Sequence, residues 1–242
     1  MHGCVGTDGR RDLGRMAEVL AELDADILGL QEVDSRPSRG AGPQAAELAR
    51  RLGMEVIEGP LLTEGDGHFG NALLSRLPMR LQRRQRLPYR TGEPRGFIHA
   101  VVGGPAGIDW HVLVTHLSVG PLSRRLQFAA IADELAAATP PTLLLADLNE
   151  WFARARGLER LRRAGHLLAS PPTFPSRRPL LRLDRIGLVG GRLCRPAWTH
   201  AGARARLASD HLPLLAEVAP ALACARSSVG DSTPVGVSAL VT

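Results

Sequence analysis

The 242-residue sequence contains no lysine: all 30 of its Lys-plus-Arg positions are arginine. An arginine-only basic set fits a GC-rich coding background, so the net charge of +6 gives only modest support for a polyanionic partner. Cysteine is scarce. Cys4, Cys194 and Cys224 are odd in number and lack metal-type spacing, which excludes a disulfide scaffold and a structural zinc site. Aromatic residues make up 4% and are scattered, which argues against the stacking platforms of single-strand binders. No apolar run reaches the roughly 18 residues of a membrane-spanning helix. The opening MHGCVGTDGRRD is too polar for a signal peptide and predicts a cytoplasmic protein, unless the true start lies upstream.

What is present reads as one globular domain. A hydrophobic content of 44% supports a core, no internal repeat is visible, and short apolar runs alternate with amphipathic segments as in α/β or α+β proteins. Helices are expected over 12–23, 43–52, 122–138 and 154–164, where apolar residues recur at helical spacing. Strands are expected in DILGLQEV, NALLS, GFIHAVV, DWHVLVTHLS, TLLLADL, LLRLDRIGLV and LPLLAEV. The Pro-rich stretch 170–181 reads as a surface loop. Small and polar residues dominate after Pro220, so the domain is expected to span 1–220 and a disordered tail 221–242.

Polar groups recur where the apolar runs end. Gln31 and Glu32 close one run, Thr115 and His116 a second, and Asp147 and Asn149 a third. Asp184 lies within LLRLDRIGLV, and Ser209, Asp210 and His211 precede LPLLAEV. A single acid after a strand is ordinarily a helix cap. Five such clusters, mixing acids, amides and histidines, instead suggest a site assembled where strands give way to loops. Carboxylates and an amide without cysteine favour Mg²⁺ or Mn²⁺ over zinc, and nearby histidines suit phosphate oxygens or proton transfer. Metal-assisted hydrolysis of a phosphate ester uses these parts together. A serine hydrolase on Ser209, Asp210 and His211 is excluded, because three adjacent residues cannot form a nucleophile–base–orienter geometry.

LGLQEVDSR, HFGNALLSR, EPRG, VLVTHLS followed by RRLQ, LLADLNEW, LDRIGL and ASDHLPLL occur in that order. Together they resemble the endonuclease/exonuclease/phosphatase superfamily, the DNase I-like metal-dependent phosphohydrolases, over residues 1–218. The resemblance implies a four-layer sandwich, two mixed β-sheets packed face to face with helices outside. It also implies a Mg²⁺- or Mn²⁺-dependent hydrolase acting on a phosphodiester or phosphomonoester; no obligate protein partner is evident in the sequence. Glu32 matches an acidic metal ligand, and Asp210 an additional metal-site acid. Asp147 matches the residue that orients or deprotonates the attacking water, and Asn149 an amide that holds phosphate. His211 matches the histidine facing the scissile phosphate, with Asp184 as its orienting partner. His116 matches a second phosphate-side histidine, with Asn71 placed loosely as its support. Arg124 and Gln127 match a structural R-x-x-Q signature, and Glu93 and Arg95 are read as braces.

The chain departs from that family pattern at its start, where relatives carry a strand ending in a metal-binding Asn just before the position of Met1. The first strand is therefore expected to be missing, leaving a gap inside one sheet. The competing expectation is a truncated, catalytically weak member acting as a binding domain. The substrate stays open among DNA, RNA, lipids and nucleotides, and the basic charge leans toward nucleic acid.

Overall fold

The computed structural model describes residues 1–163, 167–221 and 237–241. In chain order the regular elements begin with α1 (Leu13–Glu22), β1 (Ile27–Asp34), α2 (Gln44–Leu52), β2 (Glu55–Glu64) and β3 (Gly67–Ser75). They continue with β4 (Met79–Leu87), β5 (Arg95–Gly103), β6 (Asp109–His116), α3 (Pro121–Ala136), β7 (Thr142–Asp147) and α4 (Arg156–Arg163). The remainder are β8 (Leu167–Ala169), β9 (Asp184–Val189), β10 (Gly191–Leu193), β11 (Trp198–Thr199), α5 (Ala203–Ala208), β12 (Leu214–Pro220) and β13 (Val237–Val241).

One sheet has the order β10-β12-β13-β1-β3-β2, with β11 also pairing β12; the other runs β4-β5-β6-β7-β9-β8. Each is mixed, with β1 parallel to β13 in the first and β6 parallel to β7 in the second. Strand alternation sorts the apolar side chains into three layers. In β7, Leu143 and Leu145 enter the core between the sheets, while Leu144 and Ala146 turn outward to Phe128 and Ile131 of α3. In β1, Leu28 and Leu30 turn outward to Met16 and Leu20 of α1 and Leu48 of α2. Gly29 faces the other sheet, where a Cβ would sit 2.7 Å from that of Leu145, so this crossing needs glycine. The result is the four-layer sandwich the motifs imply.

The tail and the gap resolve into one correction. Residues 237–241, expected to be disordered, form β13, an inner strand of the first sheet. It pairs with β12 from Leu214↔Val241 to Val218↔Val237 and with β1 from Ile27↔Ala239 to Gly29↔Val241. Val237, Ala239 and Val241 point into the inter-sheet core, a short alternation of small apolar residues that fits a strand covered on one face. The inner position expected to be vacant is thus occupied. Along the same side of β1, the Met1 nitrogen donates to the Gln31 carbonyl at 2.9 Å. Residues 222–236, with Cys224, lie outside the described residues.

Six further elements were not expected: β2, β4, the short strands β8, β10 and β11, and the short α5. The strand β4 carries MRLQRRQRL and is exposed along nearly its whole length. Its arginines are partly committed within the fold: Arg84 and Arg86 donate to carbonyls of β2, and Arg83 pairs with Glu134 of α3.

Candidate active site

One end of the sandwich collects the chemistry. Both β6 and β7 finish there, with His116 and Asp147 adjacent in register, and Asp184 opens β9 directly opposite Asp147. The segment before β12 delivers Asp210 and His211. From the other sheet, β1 carries Gln31 and Glu32 within an irregularity of its ladder to β3, and Glu32 takes φ +55°. Such a bulge re-aims a side chain, and a non-glycine residue in the left-handed region marks a site where the surroundings impose the backbone. Asn149 is held similarly, at φ +49°. These residues line a cleft of about 260 Å³ together with Arg95, Val119, Trp151, Phe174 and Leu183.

Two hydrogen-bonded groups occupy its floor. In the first, His211 Nδ1 lies 2.8 Å from Asp184 Oδ2, and the ring stacks obliquely on Phe174 with centroids 4.9 Å apart. Burial opposes charge on His211, but the Asp184 carboxylate overrides it and pushes the imidazole up to about 9. Asp184 is correspondingly held below the usual carboxylate range, its burial outweighed by charged His211. Asp147, its register neighbour, moves the other way: burial and the adjacent Asp184 charge push it up. Two carboxylates with oxygens within 4.8 Å of each other are thereby separated into an anion and a group able to hold a proton near neutral pH.

In the second group, the Asn149 amide nitrogen donates to His116 Nε2 at 2.8 Å and to the Leu117 carbonyl at 2.9 Å. The Asn149 backbone N–H donates to Asp147 Oδ1 at 2.8 Å, fixing that carboxylate. Burial, helped by the nearby Arg95 charge, pulls His116 down to about 3, so it is neutral and accepts through Nε2. This refines two expectations. Both amide N–H groups of Asn149 are committed within the protein, which leaves its carbonyl oxygen as the side chain's remaining polar atom, and His116 carries no proton on Nε2.

At the mouth, Glu32 Oε2 lies 3.2 Å from His2 Nδ1. Burial works against ionisation of Glu32, but the His2 hydrogen bond and neighbouring positive charge keep it well below the ordinary range. His2 is raised in turn, chiefly by that bond. Oxygen and imidazole atoms of Asp147, Asp184 and His211 lie within 4.8 Å of one another. The carboxylates of Glu32, Asp147, Asp184 and Asp210 make a hard-oxygen set, and both side-chain polar atoms of buried Gln31 beside it lack a partner among the described residues. Carboxylates with an unsatisfied amide fit Mg²⁺ or Mn²⁺ and contain no thiolate to favour zinc.

Of the expected site residues, Glu32, His116, Asp147, Asn149, Asp184, Asp210 and His211 all reach this cleft. Asn71 does not. Its amide donates to the Gly96 carbonyl at 3.3 Å, and it lines a separate cavity between β2 and β5, not the cleft that His116 lines. Gln127 accepts from the Ser118 N–H and donates to its hydroxyl, the structural role expected of it. The stretch 170–181 is no plain surface loop: Thr173 and Ser176 are fully buried, the Ser176 N–H donates to the Asp210 carbonyl, and Phe174 packs on His211. Sequence reasoning also missed Arg95, Trp151 and Val119 as cleft residues. EPRG at the entry to a strand was the available signal for the first.

Known proteins resemble this chain in sequence or in fold. The Escherichia coli K12 protein YbhP, itself uncharacterized, is 29% identical over 231 residues, covering 85% of this chain and 88% of YbhP. A Beutenbergia cavernae endonuclease/exonuclease/phosphatase superposes with a TM-score of 0.67 at 19% identity, covering 96% of this chain and 80% of that one. The Bacteroides thetaiotaomicron mannosyl-6-phosphatase Bt3783 gives 0.61 at 17% identity, over 84% and 90% of the two chains. The model of the Endonuclease/Exonuclease/phosphatase family matches residues 3–211, and the chain belongs to that family.

Proposed function

We propose that the protein is a divalent-metal-dependent phosphohydrolase that cleaves a phosphate ester by attack of an activated water. The observation that carries this reading is the cleft floor itself, where His211, bonded to Asp184 at 2.8 Å, has Asp147 within 4.8 Å. Glu32 and Asp210 would hold the cation, with Asp147 and the Asn149 carbonyl oxygen within the same donor set. When bound, the cation supplies a positive centre that acidifies water and neutralises phosphoryl charge.

The chain's own groups supply the rest. Asp147, clamped by the Asn149 N–H, orients the attacking water and accepts its proton. His211, locked through Nδ1, directs its Nε2–H at the phosphoryl group or the departing oxygen. Neutral His116 holds the Asn149 amide in place. Phosphodiesters and phosphomonoesters both fit this chemistry, and nucleic acid is one candidate for the polymer that carries it.

Bis-p-nitrophenyl phosphate and p-nitrophenyl phosphate test the reading, each assayed with Mg²⁺, Mn²⁺ and EDTA. Turnover is expected with either cation, to be abolished by EDTA and reduced about 100-fold or more by Asp147→Asn. Turnover that survives EDTA, or that Asp147→Asn leaves unchanged, contradicts it.

A further inference from the structure

Arg95 opens β5 beside the end of β6 and lines the cleft, although its side chain is only 8% exposed. A guanidinium has five N–H donors. Among the described residues it makes one hydrogen bond, Nη1 to Glu93 Oε2 at 2.8 Å. Glu93 is itself half exposed, so that contact competes with water. The Arg95 Nε is buried and has no partner among the described residues. Four acids share the cleft, Glu32, Asp147, Asp184 and Asp210, yet none lies within ion-pair distance of Arg95. A buried cation with unspent donors, facing a cleft but not neutralising its acids, is complementary to an anion that is not part of the protein.

The geometry points to an anion subsite built on Arg95, which takes two non-bridging oxygens of a phosphoryl group, so that the group is held between Arg95 and His211. This deepens the phosphohydrolase reading and rests on it for the substrate class. The planar guanidinium presents parallel donors at the spacing of two phosphoryl oxygens, a match that a lysine does not reproduce. Arg95 thereby becomes a substrate-touching residue rather than a brace for the EPRG loop.

Inorganic phosphate is the probe. Calorimetric titration of the full chain with phosphate in the presence of Mg²⁺ is compared across wild type, Arg95→Gln, Arg95→Lys, Arg95→Ala and Glu93→Gln, with thermal melts to show that each is folded. Arg95→Gln is expected to weaken phosphate tenfold or more and Arg95→Lys to retain part of the affinity. Guanidinium ion at millimolar concentration is expected to restore binding to Arg95→Ala. Glu93→Gln is expected to bind as wild type does. Failure of wild type to bind phosphate, unchanged affinity in folded Arg95→Gln, or an equal loss in Glu93→Gln overturns the proposal; the last would mean that bracing is what matters. The two readings separate cleanly. Arg95-dependent phosphate binding without hydrolysis sinks the enzyme reading and leaves the subsite. Hydrolysis with a KM untouched by Arg95→Gln sinks the subsite and leaves the enzyme.

Discussion

Replacing Asp184 by Asn removes one charge from the cleft while preserving shape. The pair it belongs to is well shielded, since the Asp184 side chain is 1% and that of His211 15% exposed. The imidazole lies at about 9 against an ordinary 6.5, which at about 1.4 kcal/mol per pH unit corresponds to roughly 3 kcal/mol. A histidine raised in the folded state contributes its full stability below pH 6.5 and loses it as the pH climbs through about 9. Asp184, lowered, contributes above its ordinary 3.8 and loses it as the pH falls through its folded value. These are two views of one interaction, so the contribution has a plateau between those ordinary values. In Asp184→Asn, burial acts on His211 with less opposition and the imidazole falls toward 6.5 or below. Urea denaturation is expected to show the variant roughly 3 kcal/mol less stable at pH 6, with the gap closing by pH 10. The His211 ring resonances are expected to titrate at least one pH unit lower in the variant. An equal stability gap at both pH values, or a wild-type His211 titrating near 6.5, refutes the reasoning.

Ala239→Pro removes a backbone N–H from a strand paired on both sides, at a fully buried position. It is expected to cost at least about 3 kcal/mol in urea titrations, and an unchanged midpoint would place residues 237–241 outside the sheet. Gly29→Ala puts a Cβ against Leu145 and is expected to cost about 1–3 kcal/mol by the same assay. Gln127→Ala leaves the Ser118 N–H without its buried acceptor and is expected to cost about 1–3 kcal/mol. Because Gln127 is structural, hydrolysis per folded molecule should survive that change within a few-fold.

How much of this was legible in the chain depended on what holds each element. TLLLAD and DILGLQEV are buried on both faces and declare themselves as apolar runs. In contrast, β4 is held by its ladder to β5, from Met79↔Val102 to Leu87↔Arg95, and not by an apolar face. Its arginines therefore read as a solvated stretch. Pro60 similarly disguised β2, which tolerates it as an edge strand with a shift in its ladder to β3. The short alternation of β13 was hidden by the polar residues before it, since pairing between strands distant in sequence leaves no local mark. At the site, acids and histidines at strand ends were readable because buried charge is costly without a purpose. Arg95 was legible only as part of EPRG, where it read as a brace; its burial and its open donors are visible only in the fold.

The central claim is that water, activated in this cleft, attacks phosphorus. Hydrolysis of bis-p-nitrophenyl phosphate in ¹⁸O-enriched water with Mg²⁺ tests it directly, with the products resolved by mass spectrometry. The account predicts one ¹⁸O in the p-nitrophenyl phosphate formed and none in the p-nitrophenol. Label in the phenol, or no product at any Mg²⁺ concentration, would contradict it.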